Sequence, residues 1–385
     1  MAGRDHRVLK AWPQAASASL SFDGRPAPGL KPGRPVSRGQ LLAISRAAGQ
    51  GDLRAPFSGT VASLSPGLVE LAFREGVSGQ VPRPLDLGSV GGADLAPALK
   101  SLGLDLPRPA PPGQPALISA LDPEPGLGLA RALWQDQRTT LQRGLALLGR
   151  LWPDSELVEI LPPRLDPLGA GRALRFREGF PMTLPSLLRM RVLGLPWPSP
   201  DGVVGPERLW ALGTVARSGL PLTLVPVSVQ GFHYLAPPGL RLSEVLAAVN
   251  LKPLLGDLAL LGGLATGRPT ARLGRGLRAS DLSLRLIRAG RLPRPPAPCR
   301  LCGLCRQACP LGLQVDLAGQ FPLEGWARLP AKVLGALAGC AGCGACALAC
   351  PSLRPLLALA QAAGADDPYG RAPWGPPAGP GPRQQ

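Results

Sequence analysis

The sequence predicts an α+β protein built from several domains, and three observations carry this prediction. A chain of 385 residues is longer than one compact core usually accommodates. Short apolar runs between turn residues near the N-terminus are typical of small β domains, and the middle of the chain alternates strand-like with helix-like patterns. All eight cysteines lie in one C-terminal region, which indicates a separate module with its own chemistry.

Composition and charge narrow the possible functions. The chain has 50 glycines and 48 prolines, yet 45% of its residues are apolar and only 17% are charged, which excludes a wholly disordered protein. The net charge of +17 comes mostly from arginine and is spread along the chain. No run of five basic residues and no zinc-finger or recognition-helix pattern occurs in the sequence, so nucleic acid is not an expected partner.

Residues 1–75 are predicted to form a small β domain. The expected strands are three apolar runs, LLAIS (41–45), GTVASL (59–64) and LVELAF (68–73). The segments GLKPGRPVSRGQLLA and APFSGTVASL resemble the barrel-sandwich fold of biotinyl and lipoyl carriers. Such carriers hold their cofactor on a lysine at a hairpin tip. Because this chain has no lysine between Lys31 and Lys100, a structural role is expected.

Residues 76–220 are predicted to form an α/β domain, because strand-like runs alternate with helical patterns. A proline- and glycine-rich connection surrounds a weak helix, ADLAPALKSLG, and strands are expected at PALISAL and LVEIL. A long pattern starting near Leu129 predicts one amphipathic helix that packs its apolar face into the core. That face contains Leu133, Leu141, Leu145, Leu148 and Trp152.

Residues 221–275 are predicted to form a small β-grasp unit, with a strand in LTLVPVSVQG and a turn, a strand and a short helix in PPGLRLSEVLAAVNL. The pattern resembles the soluble ligand-binding β-grasp (SLBB) module. Both histidines, His6 and His233, are isolated in the sequence, so no hydrolytic triad or histidine metal site is expected. Downstream, residues 276–363 contain all eight cysteines, and residues 364–385 are predicted to be a disordered tail.

The eight cysteines form two copies of one spacing, C-x2-C-x2-C-x3-C-P, and no cysteine is spare. This spacing resembles that of bacterial ferredoxins, in which three cysteines of one motif and the fourth of the other hold each [4Fe–4S] cluster. The resemblance implies two [4Fe–4S] clusters in an α-helical ferredoxin-type domain over residues 276–363. The first cluster would be bound by Cys299, Cys302, Cys305 and Cys350. The second would be bound by Cys340, Cys343, Cys346 and Cys309.

Zinc and disulfides are the alternatives for these cysteines. Four-cysteine zinc sites use two spaced pairs, whereas each motif here places four cysteines within eleven residues. Disulfides are disfavoured in the reducing cytoplasm, where the chain is expected to stay because its first residues, MAGRDHRVLKAWPQ, lack a secretory signal. The 21 uncharged residues between Lys332 and Arg354 are not expected to span a membrane, because they include four cysteines and a Cys-Pro pair.

The order of these units resembles the C subunit of Rnf electron-transport complexes over nearly the whole chain. The strongest match runs from CRLCGLCRQACPLGL to CAGCGACALACPSLRPLLALAQ, with support from KPGRPVSRGQ, APFSGTV, and VSVQG followed by PPG. The N-terminal half is also similar to the A subunit of the sodium-pumping NADH:quinone reductase. The resemblance implies a cytoplasmic subunit, held peripherally on the inner membrane by other subunits of a redox complex, that exchanges electrons with a soluble or membrane donor and acceptor.

Flavin-bearing relatives bind flavin mononucleotide (FMN) and NADH in the middle domain through a GxGGAGFPT loop and an acidic Glu-Pro segment. Here GSVGGADLAPALK retains Gly91, Gly92 and Lys100, and ALDPEPG retains Glu124. The Gly-Phe-Pro-Thr part is replaced by Asp-Leu-Ala-Pro at 94–97, and an aspartate opposes the approach of a phosphate. The resemblance therefore implies a vestigial flavin or nucleotide site at these four residues, which is not expected to retain FMN.

The leading hypothesis is an electron-transfer subunit of an Rnf- or Nqr-like redox complex that relays single electrons through two [4Fe–4S] clusters. One alternative is a complete FMN-dependent NADH dehydrogenase subunit, and another is a docking or assembly protein whose clusters only stabilise its fold. Charge also predicts an order of reduction potentials. Because the first motif carries Arg300 and Arg306 while CAGCGACALAC has no charge, the first cluster is expected to have the higher potential.

Overall fold

A computed structural model describes residues 9–12, 15–47, 49–77, 79–291, 297–320 and 329–365 of the chain. Within these ranges the protein is a mixed α/β structure with four β-sheets, followed by a helical region that contains the cysteines. This order of sheets and helices agrees with the predicted α+β class.

Seven of the eight N-terminal strands form two antiparallel sheets. Their bounds are β1 (Lys10–Ala11), β2 (Ser17–Ser21), β3 (Gly24–Pro26), β4 (Pro35–Val36), β5 (Leu41–Ser45), β6 (Leu53–Arg54), β7 (Gly59–Ser65) and β8 (Leu68–Phe73). One sheet has the order β2-β8-β7-β4 and the other β3-β5-β6. The three predicted strands are confirmed as β5, β7 and β8, because apolar residues such as Val61, Val69 and Leu71 point into a core at alternating positions.

The middle region contains a parallel sheet covered by helices on both faces. Its elements are α1 (Leu95–Ser101), β9 (Ala116–Ser119), α2 (Leu129–Asp136), α3 (Arg138–Leu151), β10 (Leu157–Leu161), β11 (Arg172–Arg175), α4 (Pro185–Leu193), β12 (Val203–Val204) and α5 (Pro206–Ser218). The strand order is β11-β10-β9-β12, and every pair is parallel. Ile118 of β9 faces α2, α3 and α5, whereas its neighbour Leu117 faces α4, which explains why the strand is apolar throughout.

The predicted long helix is two helices in the structure. α2 ends at Asp136 and α3 begins at Arg138, with Gln137 between them in a non-helical conformation. The prediction of one continuous helix was therefore wrong. The sequence did not indicate the interruption, because neither glycine nor proline is present there. The predicted apolar face is nevertheless buried, at Leu133, Leu141, Leu145, Leu148 and Trp152.

A six-stranded mixed sheet follows. Its elements are β13 (Val225–Val229), β14 (Phe232–Ala236), α6 (Leu242–Ala248), β15 (Leu258–Leu261), β16 (Arg268–Thr270) and β17 (Ser283–Ile287). The order is β1-β14-β13-β17-β15-β16, so β1 pairs with β14 and belongs to neither N-terminal sheet. Strand β17 lies beyond residue 275, which places the predicted domain boundary inside this sheet. The second strand predicted in PPGLRLSEVLAAVNL is only a single bridge between Arg241 and Gly276.

The C-terminal region is helical. Its helices are α7 (Leu304–Gln307), α8 (Val315–Gln320), α9 (Ala331–Ala338), α10 (Ala345–Leu348) and α11 (Leu356–Ala365). Helix α11 includes residues 364 and 365 of the predicted tail, and residues 366–385 lie outside the described residues. No helix in the described ranges is long and apolar enough to cross a membrane. The uncharged stretch between Lys332 and Arg354 contains most of α9 and all of α10.

Candidate iron–sulfur centres

The two cysteine motifs have the same backbone conformation, repeated after 41 residues, as from Cys299 to Cys340. Three pairs of equivalent residues have left-handed φ angles: Leu301 and Gly342 (56° and 68°), Gly303 and Gly344 (72° and 73°), and Gly312 and Leu353 (63° and 53°). Helices α7 and α10 begin at equivalent positions, as do α8 and α11. The repeat in the sequence is therefore a repeat in structure.

Glycine gives each motif its turn. Gly303 and Gly344 precede one-turn helices that carry Cys305 and Cys346, and glycine adopts the left-handed conformation without steric cost. At two of the equivalent positions the residue is leucine, Leu301 and Leu353, for which a left-handed φ costs about 1–3 kcal/mol. Backbone strain of this kind persists where the surroundings impose it, and it is common at functional sites.

The first cysteine set combines both motifs. Cys299, Cys302 and Cys305 line one small cavity together with Cys350 of the other motif. Burial, followed by the negative charge of Asp316, raises the pKa of the Cys305 thiol, and Cys350 adds to the shift. Three of these cysteines are buried or partly buried, and Cys302 is exposed. The structure thus brings together the four cysteines predicted for the first cluster.

The second cysteine set mirrors the first. Burial, followed by the neighbouring Cys340, Cys343 and Cys309, raises the pKa of the Cys346 thiol to about 12. Burial also raises the pKa values of Cys340 and Cys343, and both thiols interact electrostatically with Cys309. Cys309, the fourth cysteine of the first motif, therefore lies among the first three of the second motif. Thiolates are the metal-binding form of cysteine, so four of them in this buried setting need cationic metal to form.

Neither set is a tight cage for a single ion. In the described part of the chain, no three His, Cys, Asp or Glu side chains are close enough to hold one metal ion. A single tetrahedral zinc, with Zn–S bonds of about 2.3 Å, brings its sulfur ligands to roughly 3.8 Å from one another. A cubane binds each cysteine to a different iron and so spaces the four sulfurs more widely. The gathering of four cysteines at one cavity is compatible with an iron–sulfur cluster.

The two sets have different surroundings. Cys343 is buried in an apolar cluster with Leu187 of α4, Ala341 and Ala345, and side chains from residues 180–190 pack around it. Gly339, just before the second motif, lies against Trp197. The first set is bordered instead by polar and charged side chains, namely Arg300, Asp316, Ser352 and Arg354. Burial therefore raises the thiol pKa values in both sets, and at the first set the charge of Asp316 adds to it.

Two buried polar atoms at the first set have no hydrogen-bond partner among the described residues. They are Oγ of Ser352 and Nε of Arg354, and both side chains line the cavity of the first set. A buried donor left unpaired costs about 1–3 kcal/mol. Thiolate and cluster sulfur are acceptors, so the residues present fit a sulfur-rich anionic group. Sequence patterns gave no reason to select either residue.

Two of the four residues of the predicted flavin site, Lys100 and Glu124, are hydrogen-bonded to other segments of the fold. Gly91 precedes a short 3-10 turn that begins at Gly92, and a Cβ added to either glycine would meet no described atom within 4 Å. Lys100 Nζ donates a hydrogen bond to the carbonyl oxygen of Ser45 at 3.5 Å. Glu124 is buried, and its carboxylate accepts hydrogen bonds from the backbone N–H groups of Ala265 (2.8 Å) and Thr266 (3.2 Å). The carboxylate thus fixes the loop between β15 and β16.

A large cavity of about 1380 Å³ lies beside the parallel sheet. It is lined by Ser119 at the end of β9, by Thr183 and by Glu207 in the first turn of α5, which sequence reasoning did not select. None of the four residues predicted for the flavin site lines it. The candidate site therefore rests on the cysteine motifs.

A comparison with models of protein families finds no match to this chain, and neither does a comparison with curated proteins.

Proposed function

We propose that the chain binds two [4Fe–4S] clusters and relays single electrons through them. The observation that carries this proposal is the crosswise grouping of the cysteines, in which each set takes three from one motif and the fourth from the other. Bound clusters of this type supply one-electron redox chemistry at low potential. The chain's own residues hold the thiolates in place and set their surroundings.

The two sets are close neighbours. Cys305 and Cys346 border one small core, which includes Leu313, Val315 and Leu356, and helix α7 packs against α10. Clusters bound at both sets would therefore be adjacent, as exchange of single electrons requires.

The first set is more exposed to a partner than the second. Cys302, Leu301 and Leu304 are exposed. Cys343 and Cys346 are buried, Cys343 against Leu187 of α4 and Cys346 in the small helical core. We propose that the first cluster exchanges electrons with a partner protein. The sequence resemblance to the C subunit of Rnf complexes supports a partner within a membrane redox complex.

Redox cycling tests this function against a purely structural role for the clusters. The anaerobically purified chain should show two signals in electron paramagnetic resonance (EPR) on reduction with dithionite, lose them on oxidation and regain them on a second reduction. Clusters that cannot be reduced, or that break down within one cycle, would favour a docking or assembly protein.

FMN-dependent oxidation of NADH by the same chain is the second candidate. The cavity of about 1380 Å³ beside a parallel sheet favours it, since open α/β sheets bind ligands at such places. The use of Glu124 within the fold disfavours it. We expect no flavin absorption band in the purified chain and no bleaching on anaerobic addition of NADH. Rapid bleaching would overturn that expectation.

A further inference from the structure

Ser352 is a buried hydroxyl inside the cavity of the first cysteine set. Its side chain is only 4% exposed, and its Oγ has no hydrogen-bond partner in the described part of the chain. The residue is held in place by its backbone, because its carbonyl oxygen accepts a hydrogen bond from the N–H of Ala297 at 2.9 Å. The backbone position of Ser352 is therefore fixed, and its hydroxyl has no hydrogen-bond acceptor among the described residues.

The second cysteine set has no counterpart to this hydroxyl. The residue equivalent to Ser352, 41 positions earlier, is Leu311, and the residue equivalent to Arg354 is Leu313. Leu311 packs against the apolar cluster around Cys343, and Leu313 is buried in the small helical core. At these two equivalent positions, the first set therefore has hydrogen-bond donors and the second set has apolar side chains.

Of the charged groups that line this cavity, Asp316 is paired and Arg300 is exposed, whereas Nε of Arg354 is a second buried donor without a hydrogen-bond partner among the described residues. The guanidinium of Arg306 donates to both oxygens of Asp316, at 3.0 and 2.8 Å, and Arg300 is exposed to solvent. The hydrogen-bond acceptor left for the Ser352 hydroxyl is therefore the group that the four cysteines would hold. Its acceptors are sulfur atoms, which carry more negative charge when the cluster is reduced.

We propose that the Ser352 hydroxyl donates a hydrogen bond to a sulfur of the first cluster and raises the reduction potential of that cluster alone. The inference rests on the proposed function, since it requires the cluster. A donor to sulfur stabilises the reduced form more than the oxidised form, because reduction adds negative charge to the acceptor. The second cluster, with Leu311 in the equivalent place, has no such donor from this position.

The test compares Ser352→Ala with Leu311→Ala, its matched control at the equivalent position. Iron content and the number of EPR signals are measured first in each protein. Potentiometric titration followed by EPR then gives both reduction potentials. In Ser352→Ala the ratio of reduced to oxidised first cluster at a fixed potential should fall roughly three- to tenfold, where tenfold is about 59 mV for one electron. The second cluster should keep its potential.

A spectroscopic readout supports the same comparison. Electron–nuclear double resonance in H2O and D2O should detect an exchangeable proton coupled to the reduced first cluster in the wild-type protein and in Ser352→Thr, which keeps a hydroxyl. This coupling should be absent from Ser352→Ala.

The outcomes separate the inference from the proposed function. A wild-type protein without two clusters would overturn the proposed function, and with it the inference. Two clusters in every variant, with an unchanged first potential and an unchanged proton coupling in Ser352→Ala, would overturn only the role of Ser352.

Discussion

The two motifs differ, at the scale of single residues, in what surrounds their equivalent glycines. Gly303 and Gly344 have the same left-handed conformation, with φ angles of 72° and 73°. A Cβ added to Gly303 would meet no described atom within 4 Å, whereas a Cβ on Gly344 would lie 2.5 Å from the carbonyl oxygen of Ala265. The same substitution should therefore have different costs in the two motifs.

We expect Gly303→Ala to lower the free energy of unfolding by about 1 kcal/mol, the cost of a left-handed alanine. Gly344→Ala should lower it by about 2–4 kcal/mol, because the clash with Ala265 adds to the same backbone strain. Denaturant unfolding of both variants beside the wild-type protein measures the difference. Equal losses would contradict the packing of the Ala265 loop on the second motif.

Arg306 has a different role from the one that charge counting predicts. Sequence alone predicts that its charge favours the reduced first cluster, but its guanidinium is paired with Asp316. Asp316, and not Arg306, lines the cavity of the first set. The pair therefore presents little net charge to a bound cluster.

Removing one partner of this pair should have more effect than removing both. Arg306→Gln leaves an uncompensated carboxylate at the cavity and should reduce the ratio of reduced to oxidised first cluster roughly three- to tenfold at a fixed potential. Arg306→Gln combined with Asp316→Asn should return the potential close to the wild-type value. Potentiometry followed by EPR measures both variants. A double variant as low as the single variant would show that Arg306 acts through its own charge.

At the scale of secondary-structure elements, the two cysteine motifs interlock. Each contributes its fourth cysteine to the set of the other, and the segment before the first motif is bonded to the turn after the second, from Ala297 N–H to Ser352 O at 2.9 Å. Neither motif can therefore assemble a complete set of cysteines by itself.

Two serine substitutions test this exchange of cysteines as a matched pair. Cys309→Ser should damage the second cluster and spare the first, and Cys350→Ser should do the reverse, because each removes the ligand supplied to the other motif. EPR of the reduced variants, with iron content measured alongside, distinguishes the two signals. Loss of the first cluster alone in Cys309→Ser would refute the exchange.

Glu124 joins two further elements. Its carboxylate holds the N–H groups of Ala265 and Thr266 in the loop between β15 and β16, and that loop packs on Gly344. Glu124→Gln should therefore lower the free energy of unfolding by about 1.5–3 kcal/mol, through loss of hydrogen bonds to a charged group. Glu75→Gln, at an exposed residue, is the control. An unchanged stability with altered reduction by NADH would instead assign Glu124 to a nucleotide site.

Local patterns predicted the N-terminal strands, but they predicted neither the helix interruption at Gln137 nor strand β17. Runs such as LLAIS and LVELAF, set between turn residues, became β5 and β8 with the predicted bounds. The break at Gln137 carries no sequence signal, because no proline or glycine is present there. Strand β17 joins its sheet by pairing with β13 and β15, which are distant in the chain, so local pattern could not assign it.

The arrangement of the whole molecule depends on contacts that no local pattern encodes. The N-terminal sheets share one core with the six-stranded sheet, in which Val61 and Leu71 pack with Val227 and Leu246. Cysteine spacing was sufficient to select the two motifs, because the same spacing occurs twice, and the resemblance to bacterial ferredoxins implied which cysteines belong to each set. Ser352 could not be selected, since its significance comes from burial beside cysteines of the first motif.

Metal and sulfide content per chain tests the central claim most directly. Two [4Fe–4S] clusters predict about eight irons and about eight acid-labile sulfides per chain after anaerobic purification, with no stoichiometric zinc. The eight cysteines leave no spare ligand, so this value follows from both sets being filled. A content of about four irons, or zinc in stoichiometric amount without labile sulfide, would contradict two cubanes held by exchanged cysteines.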